Sequence, residues 1–426
     1  MQAEHDAEGG IGQAGVAPAM PEAELRAHLT LHLASGIGPV LSRRLIERFG
    51  SCERVLGASP AALQRVEGIG DRKARAIADA VREAGERVER ELSAMDRLGV
   101  RMVVRGGAGY PALLSPLDDA PLVLFLKGEP GILDRGSFPV ALVGSRRCSA
   151  YGIEQAERFA GSLAQAGLTI VSGGARGIDT AAHRAALRVG GRTAVFMGCG
   201  LGECYPPDNR ELFAQVVERG GVLVSELASD AAPEARNFPA RNRLISGVSL
   251  GVLVIEAGLK SGALITAKVA GEEHGREVMA LPGRVDSLAS RGSLDLLKQG
   301  GAILVTEPGD VIAGLEGPAR HHFADTFAAR YPGGGEAGLF TAQASSETEV
   351  ASGGRRWAES GQPGVEAGSD EAAVLGALGS VDTMEGLVRQ VEIGASRVGA
   401  ALTLLEIRGL VRREGGRLVR TRGSGS

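Results

Sequence analysis

Four short stretches of this 426-residue chain combine small residues, hydroxyls and arginine in a pattern suited to holding an anion. Gly144-Ser145-Arg146 closes an apolar run. Ser172-Gly173-Gly174-Ala175-Arg176-Gly177 follows the β-branched run Thr169-Ile170-Val171. Arg241, Asn242 and Arg243 stand in "NFPARNRLIS", and Lys260 precedes Ser261-Gly262 in "EAGLKSGALITA". A loop of small residues that runs into a helix aims backbone amides and the positive helix end at a phosphate. Guanidinium groups add charge and a planar fork of donors. The second stretch is not the dinucleotide fingerprint, because Ser172 stands where that motif needs a glycine, and it is not a P-loop, because no Gly-Lys-Ser/Thr follows. Singly, each stretch is ordinary: Gly-Ser-Arg follows strands in many α/β proteins, and Arg241-Asn242-Arg243 would equally serve as a solvated helix start. Four such loops in one domain predict an anion groove.

Catalysis would require a general base on the same edge. Asp179 and His183 lie four residues apart on one helix face. Asp179 is expected to cap its helix beside Gly177, and His183 to pack beneath the loop. Glu226 and Glu256 end strands and are better placed as bases, although Glu256 is also suited to receive one of the arginines. No HExxH, nucleophile elbow or Cys-His signature occurs. Cys52, Cys148, Cys199 and Cys204 are scattered, with no C-x-x-C pair, so neither a metal site nor a disulfide framework is expected.

The elements that must position these loops follow from the apolar pattern. Short apolar runs at Leu122–Leu126, Val140–Val143, Leu168–Val171, Thr193–Met197, Gly221–Val224, Val252–Ile255, Glu277–Leu281 and Ala302–Val305 read as strands. Helix-length segments such as Gly152–Ala166, Asp179–Val189 and Asn209–Arg219 separate most of them. This alternation predicts an α/β fold over residues 99–316, a doubly wound and mostly parallel sheet, with its ligand at the carboxyl ends of the strands.

Residues 22–98 read as helices. Two Gly-Ile-Gly turns, Gly36-Ile37-Gly38 and Gly68-Ile69-Gly70, resemble the helix-hairpin-helix motif, whose amides rest against a phosphate backbone. Basic followers (Arg43, Arg44; Arg72, Lys73, Arg75) suit DNA, and a compact helical adaptor is the alternative. Residues 1–21 are expected to be disordered and 317–369 to form a flexible linker. Residues 370–426 regain a core pattern: a helix over Ala373–Leu378, a second capped by Asp382 with Glu385 completing a capping box, a third from Ser396 to Gly409, then a Gly-Gly hairpin. That is a winged-helix arrangement. Arg397, Arg408, Arg412, Arg413, Arg417, Arg420 and Arg422 would give it a positive face, for DNA or for a protein partner.

Composition constrains the partner less. The formal net charge is −4, and a basic patch on a mixed surface leaves no trace in such a total. Aromatic residues make up 4%, which argues against a nucleic-acid platform built mainly from stacked rings. Only Lys73, Lys127, Lys260, Lys268 and Lys298 are lysines, an arginine bias that a GC-rich genome explains. "MQAEHDAEGG" lacks the apolar core of a signal peptide and no stretch approaches a membrane span, so a cytoplasmic protein is expected.

Together these motifs resemble the bacterial DNA-processing protein A family, DprA or Smf. The resemblance rests on "GSR" at Gly144–Arg146, "SGGARGIDTAAH" at Ser172–His183, "GCGLGECYPPDN" at Gly198–Asn209, "SE" at Ser225-Glu226, "FPARNRLIS" at Phe238–Ser246, "VIEAGLKSGALITA" at Val254–Ala267 and "ALPGRV" at Ala280–Val285, in family order. It implies an extended Rossmann-like domain that binds single-stranded DNA without being an enzyme. It also implies a homodimer that loads the RecA recombinase in natural transformation, with single-strand-binding protein present. The family's DNA pocket maps onto Ser145-Arg146, the Ser172–Gly177 loop with Arg176, and Phe238 through Arg243. Two departures stand out: Gly292-Ser293 is followed by Leu294 where the family often has a polar residue, and Ala175-Arg176 replaces a bulkier residue and lysine while keeping the charge. The rival reading is a phosphoribohydrolase acting on nucleoside 5′-monophosphates. Such enzymes carry a Pro-Gly-Gly-x-Gly-Thr-x-x-Glu run, whereas "PGRVDSLASRGSLD" lacks its second glycine and its glutamate.

Overall fold

Gly36 and Gly68 both sit at φ +82°, a region in which any side chain is strained. Gly38 and Gly70 follow as the extended residues from which the next helices start. The two hairpins are thus the same turn used twice, within a run of six helices: α1 Glu22–Leu33, α2 Pro39–Phe49, α3 Cys52–Leu56, α4 Pro60–Leu63, α5 Asp71–Glu83 and α6 Gly85–Leu98. The computed structural model describes residues 20–330 and 369–420, apart from 135, 379–380, 392, 408–409 and 415–416. Residues 1–19, in the segment expected to be disordered, lie outside it.

A nine-stranded sheet follows: β1 Arg101–Val104, β2 Val123–Gly128, β3 Pro139–Val143, β4 Thr169–Ser172, β5 Thr193–Phe196, β6 Val222–Ser225, β7 Gly251–Val254, β8 Glu277–Ala280 and β9 Ile303–Leu304, in the order β1-β2-β6-β5-β4-β3-β7-β8-β9. Strands β3 to β9 are parallel, while β2 joins β6 antiparallel and β1 joins β2 antiparallel. The sheet is therefore doubly wound and mostly parallel, as the alternation predicted, with β1 an addition. Only the last of its four residues is buried, and its apolar run, Met102-Val103-Val104, is too short to stand out as a strand.

The pleat divides the core. Val140 and Leu142 of β3 face one cluster with α7 (Ala150–Gln165) and α8 (Ile178–Arg188), while Ala141 and Val143 face another with α10 (Asn237–Gly247) and α11 (Gly262–Lys268). Helix α9 (Arg210–Glu218) closes the β5–β6 part of the sheet, where Leu29, Leu31 and Met95 of the helical segment share a cluster with Phe125, Val195 and Phe213. The Glu91 carboxylate fastens this junction by accepting from the Ser229 amide, at 3.0 and 2.9 Å, and from its hydroxyl at 2.6 Å. His32, which burial keeps neutral by pulling its pKa down to about 4, has Nε2 2.8 Å from the Glu226 carbonyl oxygen.

Helix α12 spans Arg291–Lys298, and α13 runs from Pro308 to Arg330 with Pro318 inside it. A linker was expected from residue 317, but the helix continues, because Val311, Leu315 and Ala319 form a stripe buried against the sheet. Residues 331–368 of the expected linker lie outside the described residues. The last segment is α14 Asp370–Ala377, α15 Met384–Gln390, α16 Ala395–Ile407 and the hairpin β10 Val411–Glu414 with β11 Arg417–Arg420. The cap of α15 is Thr383, whose hydroxyl accepts from the Gly386 amide at 3.2 Å, and not Asp382. Asp382 instead pairs with Arg417 at 3.4 Å, and Arg397 forks onto Asp370 at 2.7 Å. Two arginines of the expected positive face are thus paired within the domain. Arg408 and Arg422, and the Arg413 side chain, lie outside what is described. Among the described residues no helix is long and apolar enough to cross a membrane.

Candidate nucleic-acid interface

From β3 the chain winds to β4, β5 and β6 on one side, and α10 then carries it back to β7 on the other. The loops after β3 and β7 therefore flank the crevice where parallel sheets of this kind bind ligands. Those loops and the one after β4 are interlocked. The Ser145 amide donates to Glu256 O at 2.8 Å, and the Ile178 amide reaches Ser145 O at 3.4 Å. A β-carbon on Gly144 would overlap the Ile178 side chain, and one on Gly177, at φ +81°, would overlap Ser145 O. These two glycines are required by close approach as much as by conformation.

The crevice is a groove of about 770 Å³. Gly144 to Arg147 form one wall. Phe238, Pro239 and Asn242 at the start of α10 form a second, and Lys260 to Gly262 a third, with Tyr205 at the mouth. Arg146, Arg147 and Lys260 are exposed, and the Arg146 guanidinium lies over the Phe238 ring, 4.9 Å from its centroid. Arg147 and Tyr205 were not anticipated as site residues; Arg147 could have been read from "GSRR", and Tyr205 stands within "GCGLGECYPPDN".

The floor is Arg241, only 4% exposed. It donates to Gly173 O at 2.5 Å and to Phe196 O, while its Nε, also buried, has no partner. Burial lowers its pKa to about 10, opposed by the nearby Asp179 carboxylate, so it remains a cation at neutral pH. Asp179 does not cap its helix beside Gly177; it braces the loop by accepting from the Ala175 amide at 3.2 Å. Burial pushes its carboxyl pKa up, and Arg241 opposes that shift. Ser172, Gly173 and Gly174 are buried beneath the groove, with the Ser172 hydroxyl donating to Leu142 O at 2.6 Å.

The remaining expected groups part company. Arg176 is exposed on the flank, paired with Asp208 at 2.6 Å. Arg243 leaves the groove altogether: it pairs with Glu226 and donates to Asp119 O at 2.6 Å, lining a separate cavity of about 770 Å³ beside Gly36 and Arg87. Glu256 receives no arginine. Its oxygens accept from the Ser149 amide and hydroxyl, both at 2.7 Å, and so neutralise the N-terminus of α7. His183 is fully buried, with its ring against Thr193 at the start of β5. Thr193 Oγ1 donates to Ile170 O, so it accepts from His183 Nδ1 at 2.7 Å, which leaves Nε2 without a partner. A Ser246–His274–Asp119 chain (2.9 and 3.4 Å) has the elements of a hydrolytic triad, but Ser246 is fully buried. Among the described residues no cluster of His, Cys, Asp or Glu could hold a metal ion.

Fold and site together define a Rossmann-like domain with a cationic groove, flanked by a helix-hairpin-helix pair and a winged helix. The family model described as DNA recombination-mediator protein A matches residues 101–316, a SAM-like helix-hairpin-helix tandem matches 30–83, and the DprA winged helix domain matches 358–417. The chain belongs to the DNA recombination-mediator protein A family, the DprA/Smf proteins. Protein Smf of Escherichia coli K12 is 45% identical over 229 residues, covering 54% of this chain and 60% of that protein's length. DNA processing protein DprA of Streptococcus pneumoniae R6 is 45% identical over 208 residues, 49% of this chain and 71% of that protein. The X-ray structure of DprA from Streptococcus pneumoniae superposes with a TM-score of 0.59 at 33% identity, covering 68% of this chain and 97% of that one. The family is one of recombination mediators, not of phosphoribohydrolases.

Proposed function

We propose that this chain binds single-stranded DNA in the β3/β7 groove, protects the incoming strand, and loads a RecA-type recombinase onto it in natural transformation and homologous recombination. The observation that carries this reading is the cationic groove itself: Arg146, Arg147 and Lys260 around a buried guanidinium whose Nε has no partner. The names of the relatives, DNA processing protein among them, support DNA as the polyanion. In this reading residues 99–316 carry the DNA site, with 22–98 and 370–426 as accessory segments. Direct contacts come from Gly144, Ser145, Arg146, Arg147, Phe238, Asn242, Lys260 and Ser261. Ser172, Gly173, Gly174, Gly177 and Arg241 hold that surface from beneath, Arg176 extends it along the flank, and Arg243 sets the angle of α10 from its far side.

The protein acts in the cytoplasm as a homodimer, on strands that single-strand-binding protein also coats. Strand β9 supports the dimer, since Ile303 and Leu304 are 46% and 55% exposed on the open sheet edge, where a second copy could cover them. An electrophoretic shift with single-stranded and duplex DNA, with and without the recombinase, tests the reading. Single strands should shift first, with an affinity that falls steeply with salt, and filaments should form faster on them. Equal affinity for duplex, no acceleration of filaments, or release of free base from nucleoside monophosphates would overturn it.

A further inference from the structure

We infer that Tyr205 is a stacking surface for one unpaired nucleobase at the mouth of the groove. The inference rests on the DNA reading above and names a contact beyond it. Tyr205 stands in the loop between β5 and α9, its ring centroid 5.3 Å from that of Phe238 at an interplanar angle of 52°. Phe238 is held from behind: a β-carbon on Gly198 would come within 2.7 Å of its ring, so the ring rests on bare backbone. On another side it carries the Arg146 guanidinium. Cation, ring and ring therefore line one wall, with the charge where a phosphate would be held and Tyr205 next along.

The hydroxyls separate this tyrosine from its fellows. Tyr110 donates to Pro121 O at 2.6 Å and Tyr151 to Pro282 O at 3.1 Å, so each ring is anchored within the fold. Among the described residues the Tyr205 hydroxyl makes no hydrogen bond, and its ring is half-buried. A ring with a free edge beside a phosphate cradle fits a base that is not already stacked, because a π-face accepts any base and a duplex offers none. The competing role is a cover for the core cluster that includes Met197, against which Tyr205 also packs; leucine would serve that role as well.

The test compares oligo(dT) with a fully abasic strand of the same length and charge. Tyr205→Leu should weaken oligo(dT) binding roughly tenfold, the size of one base–aromatic stack. Its affinity for the abasic strand should match the parent's, and the salt dependence of both should be unchanged. Tyr205→Phe, which keeps the ring, should bind oligo(dT) like the parent. If Tyr205→Leu binds both strands like the parent, or loses affinity for both alike, the stacking role is overturned while the groove reading stands. If Tyr205→Phe loses as much as Tyr205→Leu, the hydroxyl and not the ring is responsible, which also overturns it. If the parent binds neither strand, the groove reading fails and takes this inference with it.

Discussion

Arg241 and Arg243 illustrate what two residues of spacing do on a helix. Positions i and i+2 point to different sides, so only one of the pair can face the groove, and the other must find acids elsewhere. The sequence placed both in the pocket; helical geometry alone was enough to separate them. What it could not supply is which one faces inward, because that depends on where Glu226 and Asp119 stand in the folded chain. The consequence is measurable by binding across a salt series. Arg146→Ala should lower affinity for any single strand and reduce the slope of log K against log salt by about one. Arg243→Ala should leave that slope at the parental value and lower stability instead. His183 gives a second prediction at this scale. Burial lowers its pKa from 6.5 to about 3, so between those values the unfolded chain binds a proton that the folded one refuses. Stability is therefore intact above the unfolded pKa and falls as the pH drops towards 3. The loss should be on the order of 2 kcal/mol between about pH 7 and pH 5 from this residue alone. Urea unfolding at the two pH values should reveal a shallower loss in His183→Gln.

At the scale of elements, the buried parallel strands were legible because strands covered on both faces read as unbroken apolar runs. Strand β1 is buried at only one of its four positions and its apolar run is short, and α13 passes through Pro318 on the strength of a buried stripe that composition disguises. The positions of the loops after their strands were legible, but not that they interlock. They meet at close quarters: Gly177 faces Ser145 O and Gly144 faces the Ile178 side chain, so the loop after β3 and the start of α8 hold each other in place. Gly177→Ala must both strain its own backbone and push the Ser145 carbonyl away. It should cost about 3 kcal/mol in urea unfolding, and it should weaken single-strand binding although no contacting side chain is touched. A variant as stable and as tightly binding as the parent would show that the two loops are not coupled.

For the whole molecule, the three segments differ in how they are joined. The winged helix touches the sheet domain through Leu404, which packs on the cluster under α7 beside Gly167. The helical segment shares a core with the sheet, a union that the change of pattern near residue 99 concealed, since a boundary in periodicity need not be a boundary in packing. The open edge at β9 bears on assembly. Ile303→Asp with Leu304→Asp should convert a dimer to a monomer in sedimentation, with the fold intact by circular dichroism, because neither side chain is buried in the isolated chain. An unchanged sedimentation coefficient would place the dimer contact elsewhere.

The shared core also has a consequence for synthesis. The ribosome releases the six helices before the sheet, yet the apolar face of α1 and α6 is covered by Phe125 of β2, Val195 of β5 and Phe213 of α9. Until those residues have left the exit tunnel, the leading helices have only each other to pack against. The helical segment is thus completed only when the middle of the sheet domain arrives.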